Sequence, residues 1–210
     1  MFRSETKSPR TPVRVWICSL IAHAGDAAEL RALLSGDELE RAYRFENERD
    51  RARFIMGRGL LRVVLGKQLE VEPGALRFSY GPAGKPILCH DNDVHFNLSH
   101  SRDLICIALA PREIGIDIEY NNRAIDELGV AALAFNPDTV RRLTALEGPR
   151  RRAAFFVEWT RREALAKASG TGLLLRDSEA QVAIAYRVQM LQLASDYTAA
   201  VALQARTCGC

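Results

Sequence analysis

The stretch I-G-I-D-I-E-Y (114–120) decides how the middle of the chain folds. Its isoleucines alternate with other residues, which is typical of a β-strand, where successive side chains point to opposite faces. Ile114, Ile116 and Ile118 therefore share one face, and Asp117 and Glu119 share the other. The Cα atoms of the two acidic residues would lie ~7 Å apart. Two interpretations remain open: a solvated face of an ordinary strand, or a cation held between two carboxylates.

Other strand-like segments lie on both sides of this stretch. The two before it, at 94–101 and 104–110, have short connections and predict an antiparallel or mixed sheet together with 114–120. A first strand is expected at 13–21, and β-strands return in the last thirty residues. D-L-I-C-I-A-L-A (103–110) and D-Y-T-A-A-V-A-L (196–203) resemble each other, which hints at two similar lobes.

Helices are predicted between the strands. The expected segments are 26–34, a longer helix from Asp37 with a bend or break at Gly57 and Gly59, 124–135, 137–146, and 151–170, which Gly170 closes. One helical cluster and one sheet per half predict an α+β fold.

Composition indicates a globular chain that is not bound to a membrane. Of 210 residues, 48% are hydrophobic and 26% are charged, and no apolar run approaches the roughly 18 residues of a membrane span. Residues 1–12 lack the apolar core of a secretory signal and are expected to be a flexible tail. We therefore expect a cytoplasmic protein.

The five cysteines do not form a disulfide pattern, because their number is odd and no C-x-x-C occurs. Cys18 and Cys106 lie in apolar segments and are expected in the core. The terminal C-G-C (208–210) is compatible with metal binding or redox cycling, or with a frayed end.

A net charge of +3 is too small to indicate a nucleic-acid partner. Arginines are nevertheless concentrated at 37–62 and 141–152. Such runs are often solvated helix faces, and they also suit an acidic partner or a phosphate-rich ligand.

Trp159, Glu163 and Lys167 are spaced to lie along one face of a helix. Taken alone, Glu163 and Lys167 would be an ordinary surface ion pair. A carboxylate brought next to Asp117 and Glu119 would instead complete an oxygen-rich site of the kind that Mg²⁺ prefers.

Two further polar motifs could meet phosphate groups. Ser99-His100-Ser101 ends a predicted strand with hydroxyls and an imidazole, and Lys85 lies in the turn G-K-P (84–86). Neither belongs to a G-x-S-x-G hydrolase elbow or a G-x-x-x-x-G-K-[ST] nucleotide loop, and the four histidines lack zinc-ligand spacing.

Four motifs occur in a characteristic order: G-K-P (84–86), F-N-L-S-H-S (96–101), G-I-D-I-E (115–119) and W-T-R-R-E-A-L-A-K-A-S-G-T-G-L (159–173). In this order the chain, from about Asp37 to Leu173, resembles the 4′-phosphopantetheinyl transferases of the surfactin-synthetase-activating type. The length fits that monomeric class. The resemblance implies two similar α+β lobes related by a pseudo-two-fold, at 13–113 and 114–210, with coenzyme A in the cleft between them.

The resemblance also implies an activity. The enzyme would move the 4′-phosphopantetheine arm of coenzyme A to a serine of an apo acyl or peptidyl carrier protein, releasing adenosine 3′,5′-bisphosphate. Asp117, Glu119 and Glu163 would hold Mg²⁺, for which Mn²⁺ can substitute. Glu163 would take the proton of the attacking serine, and Lys167 would steady or protonate the leaving phosphate. The acceptor would be a carrier protein of fatty acid, polyketide or nonribosomal peptide synthesis, with an acidic face.

By the same resemblance, the expected contacts of coenzyme A are Arg53, Lys85, Ser99, His100, Lys167 and Arg41. The chain departs from the family at Glu38, where a basic residue is common, so that coenzyme A contact is doubtful there. Arg162 replaces a lysine and keeps its charge.

Two alternatives stay open. One is an inactive homologue that only binds carrier proteins, which the presence of all three carboxylates and Lys167 disfavours. The other is a different Mg²⁺-dependent phosphohydrolase, which would release product from coenzyme A without any protein acceptor.

Overall fold

Helices and strands alternate along the part of the chain described by the computed structural model, which comprises residues 2–4, 13–82, 84–89, 94–170, 184–193 and 196–205. The helices in these ranges are α1 (Ala27–Ala32), α2 (Gly36–Tyr43), α3 (Glu48–Leu69), α4 (Glu127–Ala134), α5 (Pro137–Thr144) and α6 (Gly148–Ser169). The strands are β1 (Phe2–Ser4), β2 (Arg14–Ser19), β3 (Phe78–Tyr80), β4 (Pro86–Leu88), β5 (His95–Ser101), β6 (Leu104–Ala110), β7 (Ile114–Tyr120), β8 (Tyr186–Leu191) and β9 (Tyr197–Gln204).

The strands form two main antiparallel sheets. The first has the order β1-β2-β6-β5, the second has the order β7-β9-β8, and β3 pairs with β4 in a separate hairpin. The prediction that 94–101, 104–110 and 114–120 share one sheet is wrong for the last segment. β7 leaves β6 and pairs with β9, because its apolar face is buried only when the second sheet packs on the first.

The two halves of the chain repeat the same topology. The series β2, α1, α2, α3, β5, β6 corresponds to the series β7, α4, α5, α6, β8, β9, and both α3 and α6 have 22 residues. Equivalent backbone bonds of 2.8 Å follow the first strand of each half, from Leu20 N to Asp103 O and from Asn121 N to Asp196 O. This repeat confirms the predicted α+β fold with two similar halves, and it explains the resemblance between the segments at 103–110 and 196–203.

The core between the sheets is built from small and branched side chains. Ile114, Ile116 and Ile118 of β7 pack against Cys106 and Ala108 of β6. The outer face of the first sheet is covered by α3, and that of the second sheet by alanines of α6. The expected burial of Cys18 and Cys106 is confirmed.

Gly115 allows α6 to lie close to β7. A Cβ atom at this position would come within 2.1 Å of the Ala164 carbonyl oxygen and 2.4 Å of the Ala168 nitrogen. The glycine in G-I-D-I-E is therefore a packing requirement, and it sets the distance between the two elements that carry the acidic residues.

The helical region before residue 70 differs from its prediction. The break falls at 44–47 instead of at the glycines, because Asn47 caps α3 by accepting bonds from Arg49 N and Asp50 N. Asp37 is not the cap of α2; Ser35 is, in a capping box with Glu38. Gly59 serves packing, since a Cβ there would lie 2.6 Å from Leu30 Cβ.

The ends of the chain complete the description. Residues 1–12 were expected to be a flexible tail, but Phe2–Ser4 form β1, because the edge of β2 offers an unpaired row of backbone groups. Residues 171–173 and the terminal cysteines lie outside the described residues. Among the helices described, none combines the length and apolarity that a bilayer crossing requires.

Candidate active site

The polar face of β7 meets α6 next to the boundary between the two sheets. Asp117 is buried, with 4% of its surface exposed, and Glu119 is partly buried at the end of the strand. The interpretation of these residues as a solvated strand face is therefore wrong. Burying two acidic side chains in this way is costly unless charged or hydrogen-bonding partners compensate.

Lys167 of α6 supplies the nearest positive charge. Its Nζ lies 2.6 Å from Asp117 Oδ1 and 3.0 Å from Ser99 Oγ, and Ser99 in turn donates to Asp117 Oδ1 over 3.0 Å. The local interpretation of Lys167 as the partner of Glu163 in a surface pair is thus wrong. Lys167 instead connects helix α6 to strands of both halves.

Trp159 and Glu163 lie on the same face of α6. The indole Nε1 of Trp159 donates to Glu119 Oε1 over 2.9 Å, and Arg123 Nη2 approaches the same oxygen at 3.3 Å. Glu119 is therefore fixed from two sides. The predicted spacing of Trp159, Glu163 and Lys167 corresponds to one face of the helix that is directed at β7.

The carboxylates are close enough to influence each other. Burial raises the pKa of Glu163, with Asp117 raising it further and Lys167 opposing the shift. Burial also raises the pKa of Glu119, and Asp117 again adds to the increase, while Arg123 and the Trp159 hydrogen bond lower it. Asp117 thus acts on both glutamates, which places the three acidic groups in one electrostatic environment.

The donor set fits a hard divalent cation. Asp117 Oδ2 and Glu163 Oε1 are buried, and neither makes a hydrogen bond to any residue that the structure describes. Buried oxygens without partners are rare, and a set of carboxylate oxygens is what Mg²⁺ prefers. In the described ranges, no group of three or more His, Cys, Asp or Glu side chains is already arranged to hold a metal ion. The ammonium of Lys167 supplies the compensating positive charge in this arrangement.

His100 and Arg53 lie beside this cluster. The pKa of His100 is lowered by desolvation and then by the positive charges of Lys167 and Arg53, although the residue keeps contact with solvent. Arg53 is held in place by bonds from Nε to the Arg102 carbonyl at 3.0 Å and from Nη1 to Asp50 at 2.7 Å. Four predicted contacts of coenzyme A (Arg53, Ser99, His100 and Lys167) thus lie together.

Lys85 and Arg41 are placed elsewhere. Lys85 Nζ binds Glu113 Oε2 at 2.9 Å and the Ile114 carbonyl at 3.1 Å, at the start of β7. Three residues of strand, or about 10 Å, separate this point from Asp117. Arg41 lies over the ring of Tyr80 and near Gly84, next to the same loop. These two cations form a second group at the other end of β7.

Glu38 stands where the family resemblance implies a basic residue, and its structural role explains the difference. Its side chain is fully buried and accepts bonds from Arg58 Nε at 2.6 Å and from Arg62 Nε at 2.7 Å. The sequence disfavours Glu38 as a contact of coenzyme A, and its burial gives the physical reason, because no part of its carboxylate is exposed.

The sequence did not identify the contacts by which Ser101 and Arg123 hold Glu119. Ser101 was considered only as a possible phosphate contact, although it alternates with Ser99 in F-N-L-S-H-S, so the strand period was a usable signal for its position beside Ser99. Arg123 follows Glu119 by four residues in a turn, where no periodic pattern points to the contact.

Comparisons with known proteins identify the family of the chain. Residues 113–202 match the model of the 4′-phosphopantetheinyl transferase superfamily, and residues 23–112 match that of 4′-phosphopantetheinyl transferase, N-terminal. The chain is 41% identical over 165 residues to the 4′-phosphopantetheinyl transferase HetI of Nostoc sp., covering 77% of this chain and 70% of HetI.

Two Bacillus proteins are similar over shorter parts of their length. The 4′-phosphopantetheinyl transferase Sfp of Bacillus subtilis is 31% identical over 144 residues, which is 69% of this chain and 63% of Sfp. The 4′-phosphopantetheinyl transferase psf-1 of Bacillus pumilus is 31% identical over 145 residues, or 69% of this chain and 61% of that protein.

Proposed function

The chain belongs to the 4′-phosphopantetheinyl transferase superfamily, as a member of the Sfp type, and we propose that it catalyses a Mg²⁺-dependent transfer. The 4′-phosphopantetheine arm of coenzyme A passes to a serine of an apo acyl or peptidyl carrier protein. The serine oxygen forms a bond to the phosphorus next to the arm, the phosphoanhydride bond breaks, and adenosine 3′,5′-bisphosphate leaves.

The two buried carboxylate oxygens without partners, on Asp117 and Glu163, carry this proposal. They lie beside Lys167 and Glu119, and the pKa values of Glu119 and Glu163 are raised by burial and by Asp117 although Lys167, Arg123 and Arg162 oppose the shift. Carboxylates whose burial is only partly compensated are unfavourable in the protein alone and become favourable when a divalent cation binds. Asp117, Glu119 and Glu163 would hold Mg²⁺, or Mn²⁺ in its place, which would neutralise charge on the phosphate oxygens of coenzyme A.

Glu163 is suited to accept the proton of the attacking serine. Its Oε1 is buried and is not engaged by any described residue, so one carboxylate oxygen is free to accept a proton.

Lys167 is suited to steady the leaving phosphate. An ammonium group has three N–H donors, and two of them are directed at Asp117 and Ser99. The third remains for an oxygen of the leaving group, where a positive charge stabilises the developing negative charge. Asp117 thereby orients Lys167 in addition to its role as a cation ligand.

Coenzyme A would contact both groups of polar side chains along β7. Arg53, His100 and Lys167 lie at one group, and Arg41 and Lys85 at the other, about 10 Å away along the strand. Lys85 would exchange its bond with Glu113 for a phosphate oxygen. The residues 13–113 and 114–210 would form the two lobes that enclose this ligand.

The carrier protein would dock transiently on a monomeric enzyme through its acidic face. Arg141 and Arg142 are largely exposed on α5, each with one acidic neighbour, and would add a salt-sensitive attraction. The proposed compartment is the cytoplasm.

The experiment is the modification of an apo carrier protein, read by intact mass spectrometry. With coenzyme A and Mg²⁺, each carrier chain should gain one phosphopantetheine arm, and no gain should occur when chelator replaces Mg²⁺. Release of nucleotide from coenzyme A without carrier protein would indicate a phosphohydrolase. Failure to modify any of several fatty acid, polyketide and peptide carrier proteins would contradict the proposal.

A further inference from the structure

Side chains of β5 close the open edge of β7. Among the strands that the structure describes, β7 is the outer one of the second sheet, and one row of its backbone N–H groups has no described strand partner there. Ile116 N donates to Asn97 Oδ1 over 2.8 Å, Ile118 N to Ser99 Oγ over 3.4 Å, and Tyr120 N to Ser101 Oγ over 2.9 Å. The difference in residue number is the same for all three pairs. Every second side chain of β5 therefore accepts a hydrogen bond from every second backbone amide of β7.

Two of these side chains also bind the carboxylates of the site. Ser99 Oγ donates to Asp117 Oδ1 over 3.0 Å, and Ser101 Oγ donates to Glu119 Oε2 over 3.3 Å. Each serine thus joins the amide of one β7 residue to the carboxylate of the preceding residue. At the third position the preceding residue is Gly115, which has no side chain.

Ser99 is saturated by its protein contacts. Its hydroxyl has one proton and two lone pairs, and these are used by Asp117, Ile118 N and Lys167 Nζ. Only 5% of its surface is exposed. Each hydrogen-bonding position of this hydroxyl is thus engaged by a group of the protein.

Ser101 completes the hold on Glu119. Oε1 of this glutamate is bound by Trp159 and Arg123 from the second half of the chain, and Oε2 is bound by Ser101 from the first half. The orientation of Glu119 therefore depends on contacts from both halves.

We propose that Ser101 is a positioning residue that sets the orientation of Glu119 toward the cation, and that Ser99 does the same for Asp117 and Lys167. Through these two serines, the first half of the chain fixes the orientation of acidic side chains that belong to the second half. This inference rests on the proposed function. Partners that orient metal ligands commonly affect metal affinity by about 10–100-fold.

The test uses the variants Ser101→Ala and Ser101→Thr in the full chain. With coenzyme A present and no carrier protein, Mg²⁺ is titrated and the thermal unfolding midpoint is followed. Ser101→Ala should raise the Mg²⁺ concentration for half of the full stabilisation by about tenfold. Ser101→Thr, which keeps the hydroxyl, should respond like the wild type.

Amide hydrogen exchange of the ligand-free protein tests the closure of the strand edge separately. The Tyr120 amide should exchange about tenfold faster in Ser101→Ala, because it loses its acceptor. Asn97→Ala is the matched control: it should expose the Ile116 amide without changing the Mg²⁺ midpoint, since no carboxylate precedes Ile116.

The possible outcomes distinguish a failure of the positioning role from a failure of the proposed function. An unchanged Mg²⁺ midpoint in Ser101→Ala, with a normal response in the wild type, would overturn the positioning role and leave the proposed function intact. Unchanged exchange at Tyr120 would overturn the edge contact. If Ser101→Ala does not fold, a tenfold change in midpoint for Ser101→Thr would equally contradict the inference. A wild type that does not respond to Mg²⁺ with coenzyme A present would contradict the proposed function itself.

Discussion

Each half of the molecule buries a group of charges next to its long helix, and the two groups are built differently. The N-terminal ion cluster consists of Glu38, Arg58 and Arg62. The C-terminal carboxylate cluster consists of Asp117, Glu119, Glu163 and Lys167. One carboxylate faces two guanidinium groups in the first, whereas in the second three carboxylates lie around Lys167, and Arg123 approaches Glu119 alone among them at 3.3 Å.

The N-terminal ion cluster is satisfied in detail. Both oxygens of Glu38 are bound by arginines, and the remaining donors of Arg62 reach the carbonyls of Pro73 and Leu76 and the hydroxyl of Ser35. Such a network orders the packing of α2 on α3 and leaves no group for a ligand. The C-terminal carboxylate cluster keeps buried oxygens without described partners and carboxyl groups with raised pKa values. Incomplete compensation, and not burial of charge as such, distinguishes the functional cluster.

The largest change in stability is expected at Glu38. Glu38→Ala leaves two buried arginines without their carboxylate and should lower the free energy of unfolding by about 3–5 kcal/mol. Urea denaturation measures the loss, and Glu40→Ala, at an exposed position of the same helix, is the control. A loss below about 1 kcal/mol would mean that the N-terminal ion cluster does not stabilise the fold. The proposed difference between the two clusters would then be wrong.

A smaller loss is expected at the contact between β7 and α6. Gly115→Ala places a methyl group against the α6 backbone and should cost about 3 kcal/mol, because backbone atoms cannot move aside as a flexible side chain would. Gly36→Ala, where the added atom meets nothing within 4 Å, is the control. Equal stability of the two variants in urea would show that the close packing does not set the distance between the carboxylates.

The ion pair of Lys85 and Glu113 combines features of the two clusters, because its charges are paired but remain accessible to a ligand. The Glu113 side chain is 41% exposed and would compete with a phosphate for Lys85. Glu113→Gln should therefore lower KM for coenzyme A by up to about fivefold with kcat unchanged, the range of a partly exposed ion pair. Steady-state kinetics on a carrier protein measures this effect. A higher KM would indicate that Glu113 holds Lys85 in its binding position instead.

The smallest expected effect concerns how the stability of the metal-free protein depends on pH. A carboxyl group with a raised pKa binds more protons in the folded state, so its contribution favours folding at low pH and is lost as pH rises through the raised pKa. Thermal unfolding with chelator should show a shallower decline as pH rises above the ordinary range of a glutamate in Glu163→Gln than in the wild type. Parallel curves for the two proteins would contradict the raised pKa of Glu163.

Local periodicity predicted much of the site, because it depends on neighbours in the chain. The two-residue period placed Asp117 and Glu119 on one face, and the helical period aligned Glu163 with Lys167. The pairing of Lys167 with Asp117 could not be predicted, since the two are 50 residues apart and a closer carboxylate competes in the sequence. The transfer of β7 to the second sheet was missed for the same reason, because it depends on the distant strand β9.

If the C-terminal carboxylate cluster acts in catalysis, transfer requires the charge of Glu163, and the most direct test is the transfer rate of Glu163→Gln. This variant keeps the shape of the side chain and removes its charge and basicity. Carrier-protein modification by mass spectrometry should show kcat/KM reduced by about 10²–10⁴-fold. Its unfolding free energy in urea should be no lower than that of the wild type, because a buried charge is removed. Turnover like that of the wild type would contradict the claim.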